Sequence, residues 1–214
     1  MKTLLTQEII DQLDACEDNF SSYPYRQLQI LFDFISSGVD AGRFSEEDAH
    51  HDLEIALRIA YSCNNIDDYE HYYMAAEWLA PVEDLAHGCG VWYYRYANAL
   101  MYCGEPEKAR DYLERGVQED PEYPWAWLTL ARLRSHFGDK AGALEANARG
   151  LALVPGDYEF TRQQTELEQG KTLEEMENHY INEEADRKLM EGLLTEERDE
   201  KLFAISGIVC NRPQ

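Results

Sequence analysis

Apolar residues recur at spacings of three and four along almost the whole chain, and no stretch shows the sustained two-residue alternation of β-branched side chains that marks a strand. The pattern predicts an all-α protein. Leu4, Leu5, Ile9, Ile10 and Leu13 form one apolar face, and Leu28, Leu31, Phe32 and Ile35 a second, stopped near Gly38 and Gly42. Ser45 followed by Glu46, Glu47 and Asp48 reads as an N-cap with acids in the first turn, opening a third helix that runs to about Cys63. A turn at Asn64–Asn65, an Asp cap and a fourth helix ended by Pro81 follow.

From Gly90 the pattern acquires a longer period. Ala97 and Ala131, Gly104 and Gly138, Ala109 and Ala143, Gly116 and Gly150, and Pro121 and Pro155 are all separated by 34 residues. Each residue type answers a physical need. The alanines suit close helix crossings, the glycines at 104 and 138 suit a left-handed helix end, and the prolines forbid the second helix from continuing. Glu105 and Pro106 read as a cap and a first-turn proline.

On these residues, segment 90–157 resembles two tetratricopeptide repeats, with Trp127, Leu130, Ala131, Gly138, Ala143 and Pro155 following the family pattern in the second copy. The first copy has Tyr93, Tyr96 and Ala97 in its leading helix and keeps Gly104, Ala109 and Pro121. Leu113 and Asn147 stand where the family's second helix usually has an aromatic, and Asn147 departs from the expected contact with a following repeat. Helices at 46–63 and 67–80 resemble a degenerate unit, with Tyr73, Ala76 and Pro81 at family-like spacings but no turn glycine. Downstream, DYEFTRQQTELEQG reads as a leading helix, Thr172 to Glu175 as a capping box, and the remainder as a terminal helix covering the open end. The resemblance implies a solenoid of antiparallel helix pairs, an α-α superhelix with a C-terminal capping helix. The expected organisation is one helical-repeat domain over 1–214: acidic helices at 1–89, two repeats at 90–157 and capping helices at 158–214.

Charge narrows the range of partners. The chain has 19 basic and 42 acidic residues, a formal charge of −23, which argues against phosphate backbones and anionic membranes as partners. Residues 1–90 hold only Lys2, Arg26, Arg43 and Arg58 against 18 carboxylates, whereas residues 91–160 hold 8 basic and 11 acidic side chains. The acidic block is either a solvated surface or a face for a basic protein. Five cysteines without a CxxC spacing suggest reduced thiols, and the N-terminus has no apolar run of signal-peptide or membrane-span type; a cytoplasmic location is expected.

Candidate chemistry is sparse. His50 and His51 lie among Glu47, Asp48, Asp52 and Glu54 on one predicted helix, where i,i+4 pairs could in principle ligate a metal, but no HExxH arrangement is present. His87 and Cys89 in AHGCG read as a loop between helices, and no nucleophile elbow, phosphate loop or dinucleotide fingerprint occurs. No cofactor, metal or catalytic residue is therefore expected.

Aromatics are more telling. Trp92, Tyr93, Tyr94, Tyr96 and Tyr102 crowd one predicted helix, with Trp125 and Trp127 one repeat later. Tyr93, Tyr96 and Trp127 are expected in the core, and large amphipathic rings beyond those suit a binding surface. In the resembled family the exposed face of the leading helices lines a peptide groove. Carried over residue by residue, that face holds Tyr94, Asn98, Met101 and Tyr102, then Trp125, Leu128, Arg132, Ser135 and His136. Some family members grip a peptide's terminal carboxylate there; Asn98 fits that set, but Tyr94 replaces its basic residue, so no such clamp is expected. The expected function is a non-catalytic adaptor binding a peptide or helix of another protein. An acidic, chaperone-like protein for a basic partner and a metal-binding helical enzyme are the alternatives.

Overall fold

The computed structural model describes residues 3–16, 23–66, 68–172 and 175–176. Among them every regular element is helical, and they fall into two compact units that meet in sequence between Leu85 and Ala86. The expected terminal helix beyond Met176 lies outside the described residues.

The first unit comprises α1 (Gln7–Asp14), α2 (Tyr23–Asp40), α3 (Glu46–His50), α4 (Leu53–Ile66), α5 (Tyr69–Leu79) and a 3-10 turn over Ala80–Leu85. Leu13, Leu31, Ile35, Ile55, Ile59 and Leu79 are among its buried apolar side chains. The α2 helix runs through Gly38, which is no stop signal: a Cβ there would overlap the ring of Phe44. The chain turns instead at Gly42, whose φ is 66°. Pro81 ends α5 as expected, although the backbone continues as the 3-10 turn. Asp68 caps α5, accepting the His71 N–H at 2.9 Å, and its carboxylate also meets His71 Nδ1 at 2.6 Å.

The single helix expected from Glu46 to Cys63 is two helices. Ser45 and Asp48 form the anticipated capping box, but α3 ends after His50, and Asp52 begins α4 by accepting the N–H groups of Glu54 and Ile55 at 3.0 and 3.1 Å. The same carboxylate accepts the Leu4 N–H at 2.6 Å and the Thr3 hydroxyl at 3.0 Å. One nearly buried acid thus starts a helix and holds the N-terminal segment against it.

This break separates the two histidines. The His50 ring lies on Trp78 of α5, centroids 3.9 Å apart at 11°, while His51 Nδ1 lies 2.9 Å from the Pro81 carbonyl oxygen and Nε2 lies 3.4 Å from Asp84. The break takes His50 out of helical register with Glu54, whereas the His51 N–H still reaches the Glu47 carbonyl at 3.0 Å. Burial pushes the His50 pKa below its ordinary value, with Glu46 opposing. The unfolded chain therefore binds the His50 proton more readily, so this contribution to stability is complete above about pH 6.5 and declines as pH falls through that value. Thermal melts at pH 7.5 and 5.5 should show a smaller pH-dependent loss for His50→Phe, which keeps the stacking without the titration, than for the unaltered chain.

The second unit shows the repeat directly. It contains α6 (Gly90–Tyr102), α7 (Pro106–Glu119), α8 (Pro124–His136), α9 (Lys140–Leu153) and α10 (Tyr158–Glu168), and the bounds of α6 and α7 recur 34 residues later in α8 and α9. Three-residue links join α6 to α7 and α8 to α9, folding each pair back on itself. Gly104 and Gly138 take φ of 74° and 85°, and the following N–H groups of Glu105 and Asp139 reach back to the carbonyls of Leu100 and Arg134 at 2.9 and 2.8 Å. That hydrogen bond satisfies an orphan carbonyl at each helix end, and only glycine adopts the linking conformation without strain. Ala97, Ala109, Ala131 and Ala143 are fully buried between the helices.

Two features of this unit depart from expectation. Trp92 is fully buried, ringed by Tyr93, Tyr96 and Tyr112 at centroid distances of 5.0, 5.0 and 5.6 Å. Tyr96 and Trp127 are only half-buried, and Trp127 Nε1 donates to the Pro121 carbonyl at 2.8 Å. Asn147 is the second: it does pack on the next helix, through polar groups. Fully buried, its Nδ2 donates to the Phe160 carbonyl at 3.1 Å and to Gln164 Oε1 at 2.9 Å, and its Oδ1 accepts from Gln163 Nε2 at 3.0 Å. The α10 helix is thereby fixed on α9.

Candidate peptide-binding face

The leading helices α6, α8 and α10 bring together part of the expected set. Tyr94 on α6 is half-buried, its ring 5.9 Å from that of Tyr123. Arg132 on α8 lies close enough to perturb the Tyr94 hydroxyl electrostatically, though burial is the main cause raising the Tyr94 pKa. Trp125 stacks on Phe160 of α10, centroids 5.8 Å apart at 28°. Asn98, Tyr102, Ser135 and His136 are all partly accessible, and the His136 ring meets the edge of Phe137 at 4.9 Å. Met101 and Leu128 are corrections: at 1% and 2% exposure they belong to the core behind the face and do not line it. Their angular positions on the helices are those expected, but neighbouring helices close over them.

Sequence reasoning missed the contribution of α10. Gln163 is buried, donating from Nε2 to the Leu128 carbonyl at 2.9 Å and accepting the Arg132 Nε–H on Oε1 at 2.7 Å. Glu159 Oε2 stands 3.8 Å from Arg132 Nη2. Tyr158, 68% exposed, carries the Arg162 guanidinium over its ring at 5.4 Å. The only forewarning was that α10 reads as a leading helix, since its 34-residue correspondence with α8 is degenerate.

Several polar groups of this face are open. Among the described residues, the Tyr94 hydroxyl, the Asn98 amide, the Ser135 hydroxyl and both η nitrogens of Arg132 have no hydrogen-bond partner. By contrast, the loop with His87 and Cys89 is occupied internally: Glu119 and Asp120 at the end of α7 accept the N–H groups of Gly88 and Gly90, each at 2.9 Å, serving the start of α6 where Cys89 supplies no side-chain cap.

The first unit has a cleft of about 720 Å³ bounded by Leu4, Ile10, Phe44, Leu53 and Leu57 together with Asp52 and His51. Its carboxylates are committed: Asp48 to Ser45, Asp52 to Thr3, Leu4, Glu54 and Ile55, and Glu54 to Arg58 at 2.7 Å. Among the described residues, no three His, Cys, Asp or Glu side chains are grouped to hold a metal ion. No described helix is long and apolar enough to cross a membrane.

Comparison with known proteins agrees with this architecture. Residues 91–133 match the tetratricopeptide repeat model, spanning α6, α7 and most of α8. The TPR repeat-containing protein PA0015 of Pseudomonas aeruginosa is 38% identical over 70 residues, which cover 32% of this chain and 67% of that protein. Among solved structures, the MamA protein shares the fold at a TM-score of 0.56 with 14% identity, covering 95% of this chain and 94% of that one. The 34-residue register of the helices is therefore inherited from a known repeat, and the chain belongs to the tetratricopeptide-repeat family.

Proposed function

We propose that this protein is a non-catalytic adaptor in which the face formed by α6, α8 and α10 binds an extended or helical segment of another protein. Tetratricopeptide repeats are protein–protein interaction modules, which gives the general class. The observation supporting this face is a set of polar groups with no hydrogen-bond partner among the described residues, on Tyr94, Asn98, Ser135 and the η nitrogens of Arg132, beside the half-buried ring of Trp125. A surface of aromatic anchors interspersed with unsatisfied donors and acceptors suits a peptide, whose backbone needs hydrogen bonds and whose side chains need apolar contact. The odd number of cysteines and their spacing support a reducing, cytoplasmic setting. The acidic alternative has less support, because five carboxylates of the first unit are already engaged, Asp48, Asp52 and Asp68 as helix caps and Asp14 and Glu54 with Arg58.

The test is steric. Asn98→Lys combined with Ser135→Lys adds two long side chains at positions that make no hydrogen bond within the described chain. Helical content should be unchanged by circular dichroism, while partners captured by the unaltered protein should be lost. Full retention of those partners by a folded double variant would remove this face from consideration.

A further inference from the structure

We propose that this face reads an acidic side chain within the bound segment, and that Arg132 receives its carboxylate. The inference rests on the reading that α6, α8 and α10 form the binding face. Arg132 is held for such a role. Its side chain is only 11% exposed, and its Nε is fixed by Gln163, itself held by the Leu128 carbonyl and by Asn147. With Nε committed, the two η nitrogens form one preset fork. At 3.8 Å, Glu159 is beyond hydrogen-bond distance from Nη2 and is 46% exposed, so it sits beside the fork without filling it. Glu159 is a counter-ion at ion-pair distance that makes no hydrogen bond, and it offsets only part of the burial that lowers the Arg132 pKa. A ligand carboxylate on the fork would supply two charge-assisted hydrogen bonds.

Location and charge select the ligand further. Tyr94 and Asn98 lie on the neighbouring α6 and Glu159 and Gln163 on α10, so Arg132 stands in the middle row of the face, where a chain can run past it on both sides. That suits a side chain within a segment better than a chain end. Residues 1–85 hold 4 basic and 18 acidic side chains, a formal −14, whereas residues 86–187 hold 11 and 19, a formal −8. An acidic segment meets less repulsion at the second unit than at the first.

The experiment is a selection against the full chain from a library of random peptides of about twelve residues, fused at both ends so that no peptide terminus is exposed. The unaltered protein should enrich Asp or Glu at one fixed spacing from aromatic or aliphatic residues. Replacing that acid by its amide in the best peptide should weaken binding about tenfold or more. Arg132→Met should reproduce the loss, and Arg132→Glu should select Lys or Arg at that place. The amide peptide keeps the test valid even where an Arg132 variant is unstable. Enriched peptides lacking a fixed acid, an amide peptide that binds equally well, or binding that requires an exposed C-terminus would each overturn the assignment. In those cases the binding face itself would stand if Asn98→Lys with Ser135→Lys still abolished binding. A selection yielding no peptide at all would defeat the binding-face reading and this assignment with it.

Discussion

Phe160→Ala is expected to destabilise the second unit by about 3–5 kcal/mol, the usual cost of removing a fully buried aromatic ring. The ring occupies the space left by the absent side chain of Gly150 on α9, where even a Cβ would overlap it, and its other side stacks on Trp125. Removing it opens a cavity between α9 and α10 and loosens the helix that holds Gln163 against Arg132. Urea titration followed by tryptophan fluorescence should show an earlier transition, and peptide binding should weaken with it. A change below about 1 kcal/mol would mean that α10 is not docked as described.

Asp52→Ala is the second large effect, expected at about 2–4 kcal/mol in the first unit. Part is the loss of an N-cap, and part is the stranding of the Leu4 N–H and the Thr3 hydroxyl that the carboxylate accepts. Asp52→Asn retains one carbonyl acceptor and should cost roughly half as much. Amide hydrogen exchange gives the more specific signature. Leu4 and the first turn of α4 should lose protection together in Asp52→Ala, because one side chain serves both. Loss confined to α4 would show that the N-terminal segment is held by other contacts.

The legible and illegible parts of this fold divide on a physical line. The bounds of α6 to α9 were readable because each repeated residue solves a local problem: alanine at a close crossing, glycine at a left-handed helix end, proline past a terminus. The break at His51 was unreadable because Ala49, Leu53, Ile55 and Ala56 maintain helical spacing across it, and its cause is an aspartate whose other partners, Thr3 and Leu4, lie 49 and 48 residues away in sequence. Asn147 is a similar case. As a departure from the family's aromatic it pointed away from packing, yet it is satisfied by three groups on a helix the spacing describes only weakly.

The proposed binding face was half legible for the same reason. The family resemblance placed Tyr94, Asn98, Arg132 and Ser135 on this face, and all four are partly accessible. It also placed Met101 and Leu128 there, because a matching position in a repeat gives an angle on the helix and not the depth to which neighbouring helices cover it. Gln163, which orients Arg132, required the third leading helix.

The most direct measurement of the account is hydrogen–deuterium exchange on the full chain, with and without a peptide obtained from the selection. Binding along the leading helices predicts protection concentrated in residues 94–102, 125–136 and 158–163, with the first unit unchanged. Protection confined to residues 46–85 would contradict the account and move the binding site to the acidic unit.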